Sequence, residues 1–461
     1  MNRIPSRFPA CLSALLLTLL AACASAPSPA PAPAPSLEQE PPIVFVHGNG
    51  DTAALWMTTI WRFETNGWPR ERLFAVDLPY PSARADDTKP QAGRSSAAEN
   101  SEHLAAEVKR VLGLTHAPKV VLVGNSRGGN AIRYYLRDLG GASVVSHAIL
   151  GGATNHGVVK SAEFLPNSEF NGDSAFMRAL NSPQGPNGLE VTPGVAFLTV
   201  RSDHNDKFAQ PEGRWLGKPQ MQTHIGFDAP ALKGAKNVVL DGVDHRETSY
   251  GPRAFAEDWQ FLTGAPPRTV GVAPEKRIVL DGRITGYLGN DPTNLPLPGA
   301  TLEIYETWSQ TGERVGAPVH TKKVGEDGEW GPFKAKAGMH YEFVISAPGY
   351  AITHIYRSPF PRSTSILHMR PVRIAQADRD ASSVVTMTRP RGYFGLGRDT
   401  MSLDGKPPAG ITAGVPGLSV AKVKLHEDAP RSVVAEFNGE RIVARSWPLK
   451  ENHAVLAEFH Y

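Results

Sequence analysis

The sequence has little cysteine, little net charge and no long hydrophobic run. Cysteine occurs at two of 461 positions, Cys11 and Cys23, so we expect packing rather than disulfides to stabilise the fold. Lysine and arginine number 48 against 45 aspartates and glutamates, a balance that gives no support for a nucleic-acid partner. No apolar run reaches the length of a membrane span, and a hydrophobic content of 41% is typical of a soluble globular protein.

The first 22 residues predict a secretory signal. They carry two arginines near the start, Arg3 and Arg7, and continue into a short apolar stretch, CLSALLLTLLAA. The tetrad LAAC that ends at Cys23 resembles the lipobox of bacterial lipoproteins, which implies cleavage before Cys23 and acylation of that cysteine. Cleavage after Ala26 is the alternative and would release a secreted protein. Either route exports the chain, and the first would anchor it to a membrane as an outer-membrane or cell-surface lipoprotein without a free thiol.

Composition divides the remaining chain into a linker and three folded stretches. Residues 23–42 alternate proline with small residues and predict an extended spacer. In residues 43–265, runs of Val, Ile and Leu alternate with helical patterns, which predicts an α/β domain with a parallel sheet. Beyond a boundary rich in proline and glycine, residues 276–372 predict an antiparallel β-sandwich. Residues 376–461 predict a further β-rich module, with a hairpin at Asn438-Gly439.

Ser126 is the candidate nucleophile. It lies in GNSRG, residues 124–128, between the buried strand pattern KVVLV and an apolar helical face. This context predicts a nucleophile elbow, a tight strand-to-helix turn that projects the serine oxygen from the edge of the sheet. Glycines two residues on either side fit this turn because strand and helix backbones approach too closely for side chains. The alternative is a glycine-rich turn without chemistry.

A serine hydroxyl reacts only when a base takes its proton, so a histidine and an orienting acid are also required. The chain order serine, acid, histidine places the histidine after the last strand of the domain, where His245 follows NVVL. The acid should follow the preceding strand, GVAFLTV, after which both Asp203 and Asp206 occur. Either aspartate could instead cap the next segment. His47 precedes the serine, and we expect it to order its own loop.

The negative charge of a tetrahedral intermediate requires preorganised donors. One should be the backbone N–H of Arg127, directly after the nucleophile. The other should be the N–H of Asn49, in a loop where Gly48 and Gly50 let the backbone approach. A simple glycine turn is the alternative for this loop. Such chemistry requires neither a metal nor an organic cofactor.

The stretches VHGNG, VGNSRGG, DKFAQP and GVDH, in this order, resemble the α/β-hydrolase superfamily, and within it bacterial and archaeal lipases and carboxylesterases. In that family an Asp-x-x-Val-x-Pro run carries the acid, and its similarity to DKFAQP favours Asp206 over Asp203. The elbow departs from the commonest lipase pattern at Asn125, where histidine is frequent, and at Arg127, where an apolar residue is frequent. The later β stretches are similar to the C-terminal β domain that borders the acyl tunnel of some lipases.

The resemblance implies a serine hydrolase that cleaves carboxylic esters through an acyl-enzyme. Residues 156–190 are long for a connection, and long loops over a site are often lids. A lid favours insoluble or long-chain acyl substrates, and therefore a lipase. An extracellular depolymerase of aliphatic polyesters is the nearest alternative. An inactive adhesion lipoprotein with a hydrolase fold is a remote one.

Overall fold

The structure is a computed structural model that describes residues 40–184 and 187–461. The predicted signal, Cys23 and most of the predicted linker lie outside the described residues. The described residues all belong to one compact unit, Leu37–Tyr461. In these ranges no helix is both long enough and apolar enough to cross a membrane.

The described part of the first 265 residues has the alternating strands and helices that the sequence predicts. Its strands are β1 Ile43–Val46, β2 Leu73–Val76, β3 Ser82–Ala83, β4 Arg94–Ser95, β5 Val120–Asn125, β6 Val145–Gly151, β7 Ala196–Ser202 and β8 Lys236–Leu240. Its α-helices are α1 Met57–Thr65, α2 Ala97–Thr115, α3 Arg127–Asp138, α4 Ala175–Leu180, α5 Glu247–Tyr250 and α6 Pro252–Thr263. Short 3-10 helices cover Ala53–Trp56, Arg70–Arg72, Gly141–Ser143 and Gly213–Leu216.

Six of these strands form one parallel sheet, in the order β2-β1-β5-β6-β7-β8. Side chains alternate across β5, so that Val120 and Leu122 lie in one buried cluster, whereas Val121 and Val123 lie in the cluster on the opposite face. Each face is covered by helices, with α2 and α3 on the first and α1 and α6 on the second. A sheet buried on both faces explains why its central strands are continuous apolar runs.

Helix α2 shows how local sequence sets an element of this domain. Ser96 and Glu99 form a capping box, in which each side chain accepts a hydrogen bond from the other residue's backbone N–H. The apolar face of α2 is buried at Leu104, Val108 and Val111, which pack in the first cluster. The helix therefore begins at its cap and contacts the sheet through residues spaced three or four apart.

The remainder of the chain is built from strands. They are β9 Ile278–Leu280, β10 Thr285–Leu288, β11 Asp291–Pro296, β12 Thr301–Thr307, β13 His320–Lys323, β14 Phe333–Ala335, β15 His340–Ser346, β16 Ile352–Arg357, β17 Ser383–Thr388, β18 Met401–Leu403, β19 Val420–Leu425, β20 Ser432–Phe437, β21 Glu440–Arg445 and β22 His453–Glu458. Two 3-10 helices lie at Gln376–Asp378 and Leu449–Glu451. The predicted fold class, a parallel α/β domain followed by β-rich regions, is confirmed.

A seven-stranded sheet joins the two predicted β stretches, 276–372 and 376–461. Its order is β13-β12-β15-β16-β22-β17-β19. The last strand, β22, lies between β16 and β17 and is parallel to both, while the other pairs are antiparallel. The predicted boundary near residue 374 therefore divides the sequence but not the sheet. The predicted hairpin between β20 and β21 is present, with positive φ at both Asn438 and Gly439.

The α/β and β-rich regions share a core. Met57 and Trp61 of α1 lie in the same buried cluster as Leu302 of β12 and Phe343 of β15. The indole N–H of Trp61 donates to the carbonyl oxygen of Ser363 at 2.8 Å. Because apolar side chains of both regions are buried in this cluster, separating the regions would expose large aromatic surfaces to water.

Helix α6 contains a buried acid whose ionisation should oppose folding. Asp258 is 1% exposed, and among the described residues neither of its carboxylate oxygens has a hydrogen-bond partner. Burial raises the pKa of Asp258 well above its ordinary value, with the nearby Glu257 acting in the same direction. The folded chain therefore keeps this proton at pH values where the unfolded chain has released it.

We expect Asp258→Asn, which cannot ionise, to become more stable relative to the wild type as the pH rises from 4 to 8. Each pH unit between the unfolded and folded pKa values costs the wild type about 1.4 kcal/mol, because the unfolded state binds fewer protons there. Thermal unfolding of both proteins across this pH range provides the measurement. A difference in melting temperature that is independent of pH would contradict a buried neutral Asp258.

Candidate active site

Ser126 lies in the turn that joins β5 to α3. Its backbone has φ 51° and ψ −121°, a left-handed conformation that is costly for a residue with a side chain. Two hydrogen bonds hold it, one from the N–H of Ser126 to the carbonyl oxygen of Gly151 at 3.0 Å and one from the N–H of Gly129 to the carbonyl oxygen of Ser126 at 2.9 Å. The serine thus has the backbone strain that the elbow pattern predicts.

The glycines around Ser126 are required by close contacts. A Cβ atom at Gly124 would lie 2.6 Å from Cδ1 of Ile132, and one at Gly128 would lie 2.5 Å from the carbonyl oxygen of Val46. Contacts this short would force strand and helix apart. Both glycines therefore permit the tight turn, which agrees with the reason for expecting them.

His245 and Asp206 are brought together by the loops that follow β8 and β7. The imidazole Nδ1 lies 2.9 Å from Oδ2 and 2.8 Å from Oδ1 of Asp206. Both side chains are almost fully buried, and the ring of Phe208 packs edge-on against the imidazole at 4.7 Å between centroids. A carboxylate at Nδ1 favours the tautomer in which Nδ1 carries the proton and Nε2 is free to accept one.

Asp203 lies apart from the imidazole and has a structural position. Its Oδ1 accepts hydrogen bonds from the backbone N–H of His204 at 2.6 Å and from the Asn205 amide at 3.0 Å, and its Oδ2 accepts from the N–H of Gly242 at 3.2 Å. Burial alone would raise the pKa of Asp203, but these hydrogen bonds lower it to about 2. Asp203 therefore ties the end of β7 to the loop that carries the histidine.

Ser126 and His245 both lie next to the strand end at Gly151 and Gly152. Gly151 accepts the Ser126 backbone hydrogen bond, and a Cβ atom added at Gly152 would lie 3.2 Å from Nδ1 of His245. Between these two described side chains no direct hydrogen bond is formed. Asn125 adds a second link, because its amide donates to the hydroxyl of Ser249 on α5 at 2.9 Å and to the carbonyl oxygen of Gly151 at 3.3 Å.

The loop after β1 runs next to the serine. A Cβ atom at Gly48 would lie 3.2 Å from Cβ of Ser126, so the backbone just before Asn49 is next to the predicted nucleophile. The side-chain oxygen of Asn49 accepts from the N–H of Ala83 at 2.7 Å, which holds this loop. Arg127 is the first residue of α3, where N–H groups have no partner within the helix. Asn49 and Arg127 thus lie close to Ser126, and the role of their N–H groups as donors stays a prediction.

His47 orders the same loop and is not a base for Ser126. Its Nε2 accepts a hydrogen bond from the N–H of Leu78 at 3.1 Å, so its Nδ1 donates to the carbonyl oxygen of Gly48 at 2.9 Å. Full burial lowers the pKa of His47, which keeps the ring neutral. Both ring nitrogens are therefore occupied within the fold.

The side chain of Arg127 explains the departure from the commonest elbow pattern. Its Nε donates to Glu169 at 2.6 Å, and its NH1 donates to the carbonyl oxygen of Pro81 at 3.0 Å and to the hydroxyl of Ser95 at 3.1 Å. Arg127 and Glu169 are both buried, so this ion pair fastens the connection after β6 to the elbow helix. Sequence reasoning missed Glu169 because it lies 42 residues away from Arg127.

Part of the predicted lid is tied to the body of the domain. In addition to Glu169, Asn181 accepts a hydrogen bond from Arg133 of α3 at 2.7 Å. His156 and Glu190, near the ends of the predicted lid 156–190, pair at 2.9 Å. These contacts fasten several points of the connection, and its action as a lid stays a prediction.

A segment near residue 390 also reaches the site, and sequence reasoning gave no indication of it. The backbone N–H of Tyr393 donates to Asp244, the neighbour of His245, at 2.7 Å. The ammonium group of Lys207, next to Asp206, lies 4.0 Å from the centre of the Tyr393 ring. Burial and the nearby Arg246 lower the pKa of Lys207 to about 8.

In the described ranges no group of three or more His, Cys, Asp or Glu side chains is arranged to hold a metal ion.

Two family models match the chain. Residues 40–163 match the family described as Lipase (class 2), and residues 276–374 match the family described as Lipase C-terminal domain. The first match includes Asn49, Ser126 and Arg127. Asp206 and His245 lie outside both matches, so their pairing is an observation of the structure alone.

Solved structures of lipases resemble parts of the chain. Lipase B of Aspergillus fumigatus is 17% identical with a TM-score of 0.35, over 50% of this chain and 54% of its own. The mature lipase BlEst2 of Bacillus licheniformis is 21% identical with a TM-score of 0.36, over 51% and 96%. A monoacylglycerol lipase of Paleococcus ferrophilus is 15% identical with a TM-score of 0.33, over 49% and 96%. The chain spans about half the length of the Aspergillus protein.

The geometry predicts that the two aspartates differ sharply in effect. Asp206→Asn preserves shape but removes the charge at Nδ1, so turnover of a chromogenic ester should fall by about three to four orders of magnitude. Asp203→Asn should cost less than about tenfold, because Asp203 does not touch the imidazole. Steady-state kinetics on the two single variants and the double variant provide the comparison. The assignment is wrong if Asp203→Asn is the more damaging single change while Asp206→Asn remains active.

Proposed function

This chain is an α/β-hydrolase lipase with a C-terminal domain, and we propose that it cleaves carboxylic esters through an acyl-enzyme formed on Ser126. The chain is a hydrolase of the lipase and esterase kind, and the residue roles are the proposal. One observation carries it, namely the carboxylate-bound imidazole of His245 beside a serine held at φ 51°. A nucleophile, a base and an orienting acid are then available in one buried place.

Acylation of Ser126 uses the free nitrogen of the imidazole. Nε2 of His245 takes the proton as Oγ of Ser126 attacks the ester carbonyl carbon, and the charge of Asp206 stabilises the imidazolium that forms. The backbone N–H groups of Arg127 and Asn49 stabilise the oxyanion of the tetrahedral intermediate. When the intermediate breaks down, Nε2 returns the proton to the alkoxide, the alcohol leaves, and the acyl group stays on Ser126.

Deacylation repeats the same steps with water as the nucleophile. His245 removes a proton from a water molecule, which attacks the acyl carbon and restores an oxyanion at the same two N–H groups. Breakdown of this intermediate returns the proton to Oγ of Ser126 and releases the carboxylic acid. None of these steps uses a bound metal or organic cofactor.

Long-chain or insoluble acyl esters are the substrates that the surroundings favour. The aromatic rings of Phe208, Tyr393 and Trp215 all approach Lys207, which follows the acid, and Phe208 contacts the histidine itself. Ser126 is 6% exposed, so binding a substrate there removes polar groups from water at a cost. Burying a long acyl chain against apolar surface would offset that cost.

The nucleophile is tested by Ser126→Ala. Ester hydrolysis should be lost, because the remaining groups have no oxygen to acylate, whereas the melting temperature should change little. Ser143→Ala, at an exposed serine beyond the end of α3, is the control and should keep full activity. Continued turnover by purified, folded Ser126→Ala would refute the assignment.

A substrate panel tests the preference for long chains. With p-nitrophenyl esters from acetate to palmitate, kcat/KM should rise with chain length, because each added methylene buries apolar surface. An aliphatic polyester film in parallel tests the depolymerase alternative. A maximum at acetate would contradict the lipase proposal, and preferential release of soluble acids from the film would favour the depolymerase.

We also propose that the chain is exported and anchored by acylation of Cys23. A lipoprotein should fractionate with membranes and incorporate labelled fatty acid, because two acyl signals or more give stable anchoring. Cys23→Ala should abolish both the label and the membrane association. Wild-type protein that is unlabelled and present in the medium would instead support cleavage after Ala26.

A further inference from the structure

The loop that carries His245 is bound on its outer side by residues 389–399, a stretch we call the arginine segment. Asp244, which is fully buried, offers its Oδ2 to three donors of this segment. They are the backbone N–H of Tyr393 at 2.7 Å, NH1 of Arg389 at 3.1 Å and NH2 of Arg398 at 3.3 Å. The residue directly before the histidine is therefore held by a part of the chain about 150 positions away.

Glu247, two residues after the histidine, is held by the same two arginines. NH1 of Arg398 donates to it at 2.9 Å, and NH2 of Arg389 pairs with its other carboxylate oxygen. The two guanidinium groups thus each bridge Asp244 and Glu247. Burial raises the pKa of Glu247, and the charge of Asp244 raises it further, so these neighbouring acids repel each other when the arginines do not compensate them.

Arg246, directly after the histidine, extends these contacts to the loop after β1 that contains Asn49 and Asp51. Its NH1 donates to the carbonyl oxygen of Pro390 at 2.6 Å, and its NH2 donates to Asp51 at 2.6 Å. Its guanidinium also lies 5.2 Å from the centre of the Tyr393 ring. The histidine loop, the arginine segment and the loop of Asn49 are therefore joined through Arg246.

The arginine segment is itself fixed in the C-terminal core. The carbonyl oxygen of Tyr393 accepts from Arg389 at 2.8 Å and from Arg398 at 2.7 Å, so the segment closes on itself. Phe394 is 1% exposed, and its N–H donates to the carbonyl oxygen of Leu418 at 2.8 Å. Both guanidinium groups that contact the histidine loop thus belong to a segment that is packed into the C-terminal region.

We propose that Arg389 and Arg398 are positioning residues that hold His245 in line with Ser126 and Asp206. The proposal rests on the proposed function, because it concerns the base of that reaction. Asp206 fixes the imidazole from within the α/β domain, and the two arginines fix the backbone on either side of it from the C-terminal region. The arginine segment lies outside both family matches, 40–163 and 276–374.

The double variant Arg389→Gln/Arg398→Gln tests the proposal in the full-length protein. Glutamine keeps hydrogen-bonding capacity but leaves Asp244 and Glu247 without compensating charge. We expect kcat on a soluble short-chain ester to fall roughly tenfold to a hundredfold, because small displacements of a reacting group are costly. KM should stay within about twofold, since the arginines do not touch substrate.

A matched control and a conservative variant separate positioning from stability. Arg431 pairs with Asp404 through two hydrogen bonds of 2.7 Å within the C-terminal region, so Arg431→Gln removes a two-bonded but more exposed ion pair away from the histidine loop and should leave kcat unchanged. Arg398→Lys keeps the charge and should retain more turnover than Arg398→Gln. A purely structural role would lower the melting temperature of both Arg398 variants without changing the kcat of the folded fraction.

Two results would overturn the proposal. One is a folded double variant with wild-type kcat. If the double variant does not fold, the single variants Arg398→Gln and Glu247→Gln replace it, because each removes part of the same contacts. Wild-type kcat in both single variants is then the result that overturns the proposal. Ser126→Ala distinguishes the two levels of the account. If Ser126→Ala remains active, the proposed function fails, whereas if it is inactive and the arginine variants are normal, only the positioning role fails.

Discussion

The hydrogen bond between His245 and Asp206 joins two loops that leave adjacent strands of the parallel sheet, and the rest of the site is arranged around it. The bond is buried, so water does not compete with the carboxylate for Nδ1. Ser126 lies in the turn after β5, next to the strand end that His245 also contacts, and the hydrogen bond to Gly151 holds its strained backbone. The proposed nucleophile and its base thus depend on the ends of β5 and β8, two strands of one parallel sheet that positions them rigidly.

The C-terminal region is part of this arrangement. Trp61 of α1 is buried together with side chains of the later β strands. The last strand, β22, lies inside the seven-stranded sheet between β16 and β17. The arginine segment begins directly after β17, a strand of that sheet, and contacts the histidine loop. Folding of the C-terminal region and alignment of the proposed base are therefore linked through a continuous set of packed strands.

Local patterns were enough to predict the α/β domain and the position of Ser126. The buried runs of β1 and β5, the helical pattern of α2 and the glycines of the elbow each depend on residues within a few positions of one another. The same holds for the hairpin at Asn438-Gly439, where both residues have positive φ. Spacing placed the acid only within a short loop, and the hydrogen bond to His245 separates Asp206 from Asp203.

Contacts between distant residues could not be predicted from one sequence. The position of β22 between β16 and β17 depends on pairing with strands about 100 and about 70 residues earlier in the chain, and no turn signal marks it. The pairing of Arg127 with Glu169 and of Arg389 with Asp244 likewise has no local pattern, since a buried arginine and an exposed one look alike in sequence. Such contacts become visible only when the fold brings the segments together.

A crystal structure of the protein inhibited by a long-chain alkyl phosphonate would show whether Ser126 is the nucleophile, because the phosphorus centre imitates the tetrahedral intermediate. We expect a bond from phosphorus to Oγ of Ser126, with the phosphonyl oxygen about 2.7–3.1 Å from the backbone nitrogens of Arg127 and Asn49. Nε2 of His245 should lie within hydrogen-bond distance of Oγ while Nδ1 remains on Asp206. An adduct on any other residue, or a phosphonyl oxygen turned away from both nitrogens, would contradict the account.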